Sequence, residues 1–178
     1  TREFRLENGV RVFLKPTKNK EKSFYFEASS MGGYSHANLT ELPSAKITDD
    51  LISESSLGDF SRVELDNKLD TAFANVEVVI GPYQEGLNGG AITKYTKELF
   101  ELIYLNFTSV RFNDVGIENI KSLLHEKIRN ENLDPSKVFF KKIRHILYKN
   151  HPRRQPWNLN LIDQIKLDKI NNFYMDRF

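Results

Sequence analysis

Apolar and polar residues alternate through the first third of the chain, and a three-to-four-residue repeat replaces that alternation in the second half. Arg2–Leu6 and Val10–Leu14 read as short strands joined by Glu7-Asn8-Gly9, a tight-turn signal. After the polar residues 16–22, Ser23–Ser30 places Phe24, Phe26 and Ala28 on one face and Ser23, Tyr25, Glu27 and Ser29 on the other, the period of a half-buried strand. Gly32 and Gly33 break it. Ser44–Ser56 then predicts a helix with Ala45, Ile47, Leu51 and Ile52 along one stripe. Ser61 and Glu64 form a capping box that opens a further helix, on which Leu65, Leu69 and Phe73 share a face. Val76, Val78 and Ile80 give a strand ended by Gly81-Pro82, and Gln84–Ala91 gives another, carrying Gly86, Gly89 and Gly90.

The second half is helical. Thr93–Phe107 carries Tyr95, Leu99, Leu102, Ile103 and Phe107, and Ile117–Arg129 carries Ile117, Ile120, Leu124 and Ile128. Asp134-Pro135 supplies an N-cap and a favoured first-turn proline ahead of Val138–Lys149. A loop over residues 150–158 separates this from a last helix over Leu167–Phe178. Strands first and long helices second, with hairpin-compatible links, predict an α+β fold: a mostly antiparallel sheet with long helices packed on one face, in a single domain over residues 1–178.

Composition narrows the function classes. The 39% hydrophobic content, with 13 Phe and 7 Tyr, supplies a core and argues against disorder. A net charge of +2 gives no overall bias toward nucleic acid or membrane. No apolar run reaches the length of a membrane span. With no Cys there are no disulfides, thiolate metal sites or thiol nucleophiles. The opening "TREFRLENGV" lacks Met and enters strand-like sequence at once, so the chain is read as a piece of a longer one.

Few residues suggest chemistry. His36, His125, His145 and His151 show neither H-x-x-x-H nor H-x-H spacing, so none of them pairs locally as zinc ligands. G-x-S-x-G and P-loop spacings are absent, and "GLNGGA" reads as a strand relaxed by glycines at a bend or close approach. Between Asp134 and Asp163 stand seven basic and no acidic residues, near Tyr148 and Trp157. Without an RNA-binding signature this stretch reads as a solvated helix face and an ordered loop, and no nucleic-acid partner is expected. Asp49, Asp50 and Glu54 gather in "TDDLISES"; on a helix Asp50 and Glu54 lie one turn apart and repel by a few tenths of a kcal/mol when exposed. Near a helix start, Asp49 and Asp50 are instead favoured by the dipole.

The order and spacing of several segments resemble the insulinase/pitrilysin-like zinc metallopeptidases, the inverzincins. "FRLENGVRVFLKPT" is similar to the opening hairpin of that family, "FYFEASSMGGYSH" to its next strand and glycine exit, and "EGLNGGAITKYTKELFELIYLNFTSVRFN" to a strand leading into a long helix. "HPRRQPWNLNLIDQIKLDKINNFYMDRF" matches a late loop and a helix ending Phe-Tyr-x-x-Arg-Phe. The resemblance implies a metallopeptidase-half domain of the mitochondrial processing peptidase type. In the family, H-x-x-E-H on a helix and a distant Glu hold zinc and activate water. Here the corresponding helix sets Asp50, Ser53 and Glu54 against H, E and H, with a one-residue shift open, and Ala37–Ser122 contains no His in any register. Glu126 stands at a plausible downstream place, alone.

The resemblance therefore implies a chain with no catalytic or metal-binding residues of its own. It corresponds to the first domain of the inactive C-terminal half of a multi-domain peptidase, whose zinc sits in the catalytic half. Its implied partners are that half, on the same chain or a homologous subunit, and a peptide substrate gripped by strand addition in a clamshell chamber. A non-enzymatic assembly subunit of the same ancestry is the alternative. The implied compartment is the periplasm, or otherwise outside the bacterial cytoplasm.

Overall fold

The computed structural model describes residues 1–18, 22–70 and 73–178. At the N-terminus, β1 (Arg2–Arg5) and β2 (Arg11–Leu14) form the expected hairpin, with Arg2 opposite Leu14 and Arg5 opposite Arg11. The central sheet is antiparallel throughout, in the order β3-β6-β5: β3 is Ser23–Met31, β5 Asn75–Ile80 and β6 Gln84–Ile92. A short pair, β4 (Ser56–Leu57) with β7 (Val110–Arg111), lies apart from it.

Register fixes the two faces of the sheet. Val78 is opposite Leu87, and Leu87 is opposite Ala28, so these share a side with Phe24, Phe26, Val76 and Ile80. That side carries the helices. The other side presents Tyr25, Glu27, Met31, Glu77 and Val79, all exposed. The glycines of β6 let its neighbours come close: a Cβ on Gly86 would stand 1.9 Å from the Ala28 carbonyl oxygen, and one on Gly89 would stand 2.1 Å from that of Asn75. The strand that sequence composition weakens is thus the centre of the sheet.

Helices follow the sequence pattern with a few local departures. Ser44–Ser56 is not one helix but α1 (Leu42–Ala45) and α2 (Thr48–Ser53), after which the chain enters β4. The break is local: Ile47 N–H donates to the Ser44 carbonyl, three residues back, and the buried Thr48 hydroxyl donates to the same oxygen at 3.0 Å. The shared apolar stripe hid this break. In α3 (Arg62–Asp70) the capping box forms, with the Glu64 carboxylate accepting from the Ser61 N–H at 2.9 Å. Phe73, however, lies beyond its end at φ +47° and is exposed, so it does not join Leu65 and Leu69. Tyr95 sits in a 3₁₀ turn before α4 (Thr96–Thr108) and still packs near Leu99.

Asn113 caps α5 (Asp114–Leu133), accepting from Gly116 N–H at 2.7 Å. Asp134 caps α6 (Pro135–Leu147) through the N–H groups of Ser136 and Lys137. The loop past residue 150 contains a further short helix, α7 (Leu159–Asp163), capped by Asn158, before α8 (Leu167–Arg177). The Arg153 guanidinium orders that loop by donating to the Tyr34 and Ala37 carbonyls at 3.2 and 2.7 Å.

The core has three parts. Val78, Ile80 and Leu87 meet Ala45, Phe173 and Tyr174 above the sheet. Ile47 and Leu51 meet Ile117, Ile120, Ile162, Ile165 and Ile170 where α2, α5, α7 and α8 converge. Leu57, Leu65, Ala91, Leu99 and Leu102 close the side beneath α3 and α4. A polar knot ties β6 to the turn after β3 and to α8: the Glu85 carboxylate accepts from Gly33 N–H at 2.8 Å and pairs with the Arg177 guanidinium. Gly33 holds φ +62°, and a Cβ there would meet the Gly81 carbonyl oxygen at 2.1 Å.

Candidate functional site

The edge of β5 gives the site its geometry. Asn75 directs its carbonyl toward Gly89 of β6, while Ile80 directs its N–H away from β6 to the Asp49 carboxylate at 3.3 Å. Alternation along a strand then turns the N–H and C=O groups of Val76 and Val78 outward as well. They face a cleft of about 1150 Å³, floored by the sheet and walled by α2 and α3, with Asp49, Asp50, Ser53, Arg62, Leu65, Asp66 and Leu69 among its lining. An edge strand with unpaired ladder groups beside a partly apolar cleft is a template for another extended chain.

The two adjacent acids of α2 diverge. Asp49 is half-buried and turns to the sheet, where its two oxygens accept from Ile80 N–H and Asp50 N–H. Burial raises its pKa above the usual carboxylate range, the Ile80 hydrogen bond opposes that, and the Asp50 charge adds to it. Asp50 is more exposed; burial raises its pKa too, against the attraction of Lys127 on α5. Asp49 therefore ends the open edge of β5 at Ile80 by acting as the strand's partner there.

Asp50, Ser53 and Glu54 lie along α2 and its end without converging. The Ser53 hydroxyl donates to the Asp50 carbonyl at 2.6 Å, and Glu54 is exposed at the end of α2. Glu126 is exposed on α5. Among the described residues no group of three His, Cys, Asp or Glu side chains is placed to hold a metal. A zinc centre also wants neutral imidazole or a converging carboxylate set, and the donors here neither converge nor include histidine. His36, His125 and His145 are exposed and scattered, and His151 accepts from Arg153 N–H through Nδ1 at 3.3 Å.

Pattern reading located α2 and β5 separately but not their relationship. The outward groups of Val76 and Val78, and the role of Asp49, depend on which neighbour each strand takes.

No protein-family model matches the chain, and no curated protein does. Solved structures do. The periplasmic protease PqqL from Escherichia coli matches with a TM-score of 0.84 at 18% identity, over 99% of this chain and 19% of that one. The ferredoxin protease FusC, solved in complex with Arabidopsis ferredoxin, gives 0.80 at 17% identity, over 98% of this chain and 19% of that one. A peptidase M16 inactive domain from Pseudomonas fluorescens gives 0.79 at 14%, over 97% and 42%. The likeness is one of fold, and the chain spans about a fifth of the length of the two proteases. Its α+β architecture, antiparallel sheet and helices alike, is the fold of these solved peptidase domains.

Proposed function

We propose that this chain is a non-catalytic domain of a zinc metallopeptidase of the insulinase/pitrilysin-like family, closing a clamshell chamber opposite the zinc-bearing half and gripping peptide along β5. Zinc and the catalytic water belong to the other half, and this chain contributes surface. The observation that carries the reading is the β5 edge, where Val76 and Val78 offer backbone donors and acceptors to the cleft. Strand addition uses only backbone groups for affinity and leaves side-chain preference to the cleft walls. The shared fold with an M16 inactive domain and with two proteases supports it further, as does the sequence resemblance that sets Asp50, Ser53 and Glu54, with a one-residue shift open, against the zinc motif.

Amide hydrogen exchange with and without an extended, protease-resistant peptide tests the grip. Exchange at Val76 and Val78 slows on binding, while Glu77, already turned to β6, does not change. Protection confined to other elements would overturn the strand-addition reading. Tightly held stoichiometric zinc in the purified chain would overturn the non-catalytic assignment.

A further inference from the structure

Helix α6 has no buried residue, although it is amphipathic. It is joined to α5 by the Lys141–Glu131 ion pair at 3.0 Å, and Val138, on the same side of the helix, is half-buried. Its outer side carries Phe139, Phe140, Ile146 and Leu147, between 59% and 72% exposed. At about 100° per residue these four and Ile143 fill one continuous arc of roughly 120°. Lys142 borders that arc on one side and Arg144 on the other, both exposed.

The charge around the arc is of one sign. No Asp or Glu occurs from residue 135 to residue 162, although the whole chain is nearly neutral. We infer that α6 is a docking helix for an anionic lipid surface, lying in the plane of the bilayer interface with Phe139, Phe140, Ile146 and Leu147 sunk toward the acyl boundary. An aromatic-aliphatic stripe bordered on both sides by cations matches such a surface in both of its parts: the apolar side chains leave water, and Lys142 and Arg144 meet phosphates. A second copy of the helix matches less well. Two-fold packing of this arc on itself would bring the Lys142 and Arg144 borders of both copies together without an acid between them. This is binding to a surface and not a span, since among the described residues no helix is long and apolar enough to cross a membrane.

Co-sedimentation of the purified chain with phosphatidylcholine vesicles, with and without phosphatidylglycerol, tests it. Binding to the phosphatidylglycerol vesicles should exceed binding to the neutral ones by at least about tenfold and should fall with added salt. Lys142→Glu with Arg144→Glu should remove that preference, and Phe139→Ser with Ile146→Ser should lower binding to both kinds of vesicle, with circular dichroism unchanged. Lys97→Glu, on the distant α4, is the control and should leave binding as it was. Equal binding to the two vesicle types overturns the inference, as does no binding. So does a dimer in sedimentation velocity that Phe139→Ser with Ile146→Ser disperses, since the arc would then be covered by a second copy.

Discussion

Glu85 and Arg177 form an ion pair between the start of β6 and the end of α8, and the carboxylate also receives the N–H of Gly33. One side chain thereby ties the central strand, the glycine turn after β3 and the last helix, segments 52 and 92 residues apart in sequence. The Glu85 side chain is 2% exposed and that of Arg177 19%. The pair lies on the helix-bearing side of the sheet and neither residue lines the cleft, so it holds the frame on which β5 is displayed and does not enter the site.

Arg177→Ala should therefore destabilise the chain strongly. It removes the cation and leaves a buried carboxylate with the Gly33 N–H and the Ser30 hydroxyl for company. Breaking a buried pair from one side costs about 3–5 kcal/mol. Urea unfolding should show a loss in that range, and a loss under about 1 kcal/mol would mean that Glu85 is stabilised by something else.

Leu51 and Ser53 share α2 and should separate fold from site. Leu51 is fully buried among the isoleucines of α5, α7 and α8. Leu51→Ala should cost about 2–5 kcal/mol in chemical denaturation. Ser53 is exposed and its hydroxyl bonds only its own helix, so Ser53→Ala should stay within about 0.5 kcal/mol of the parent chain.

Much of this was legible because the pattern and the packing agree. Phe24 and Phe26 alternate and do face the helices, Ser61 and Glu64 do cap α3, and Asp134-Pro135 does start α6. What was hidden depended on partners distant in sequence. Ala45, Ile47 and Leu51 sit on one stripe whether or not the helix breaks at Ile47, and only the bonds to the Ser44 carbonyl show that it does. The glycines of β6 read as a weakness, and their use emerges only with Ala28 and Asn75 alongside. In the site, the acids of α2 were visible as a cluster, whereas their divergence toward Ile80 and Lys127 was not.

Asp49→Asn should reveal the burial of that carboxylate as a pH dependence. A carboxyl whose folded-state pKa is raised binds its proton more tightly when folded, so its contribution favours folding at low pH and is lost as pH rises toward the raised value. Asparagine keeps an acceptor for Ile80 N–H and has no charge to desolvate. Thermal unfolding should find variant and parent alike below about pH 3, where the unfolded carboxyl is also protonated. Above that the parent should fall behind the variant, and the gap should level off once the folded carboxyl has ionised. A parent that gains on the variant with rising pH would show that the Ile80 hydrogen bond outweighs burial.

Gly89→Ala should open the edge that β5 presents. The added Cβ would stand 2.1 Å from the Asn75 carbonyl oxygen, a contact that backbone cannot relieve without shifting. Asn75 and Gly89 are on neighbouring strands, with Asn75 opposite Gly90 and Val76 opposite Gly89, so the strain falls on the first pairs of the β5–β6 ladder. A loss of about 2 kcal/mol or more is expected from strain of this kind. Hydrogen exchange distinguishes local from global damage: amides that turn from β5 to β6, such as Glu77, should exchange faster. Those of α5 and α8, which pack around Leu51 and Ile170, should lose protection only as far as overall stability falls. Unchanged exchange at Glu77 would mean that the β5–β6 ladder absorbs the added Cβ intact, and that the close approach at Gly89 is not needed for the edge.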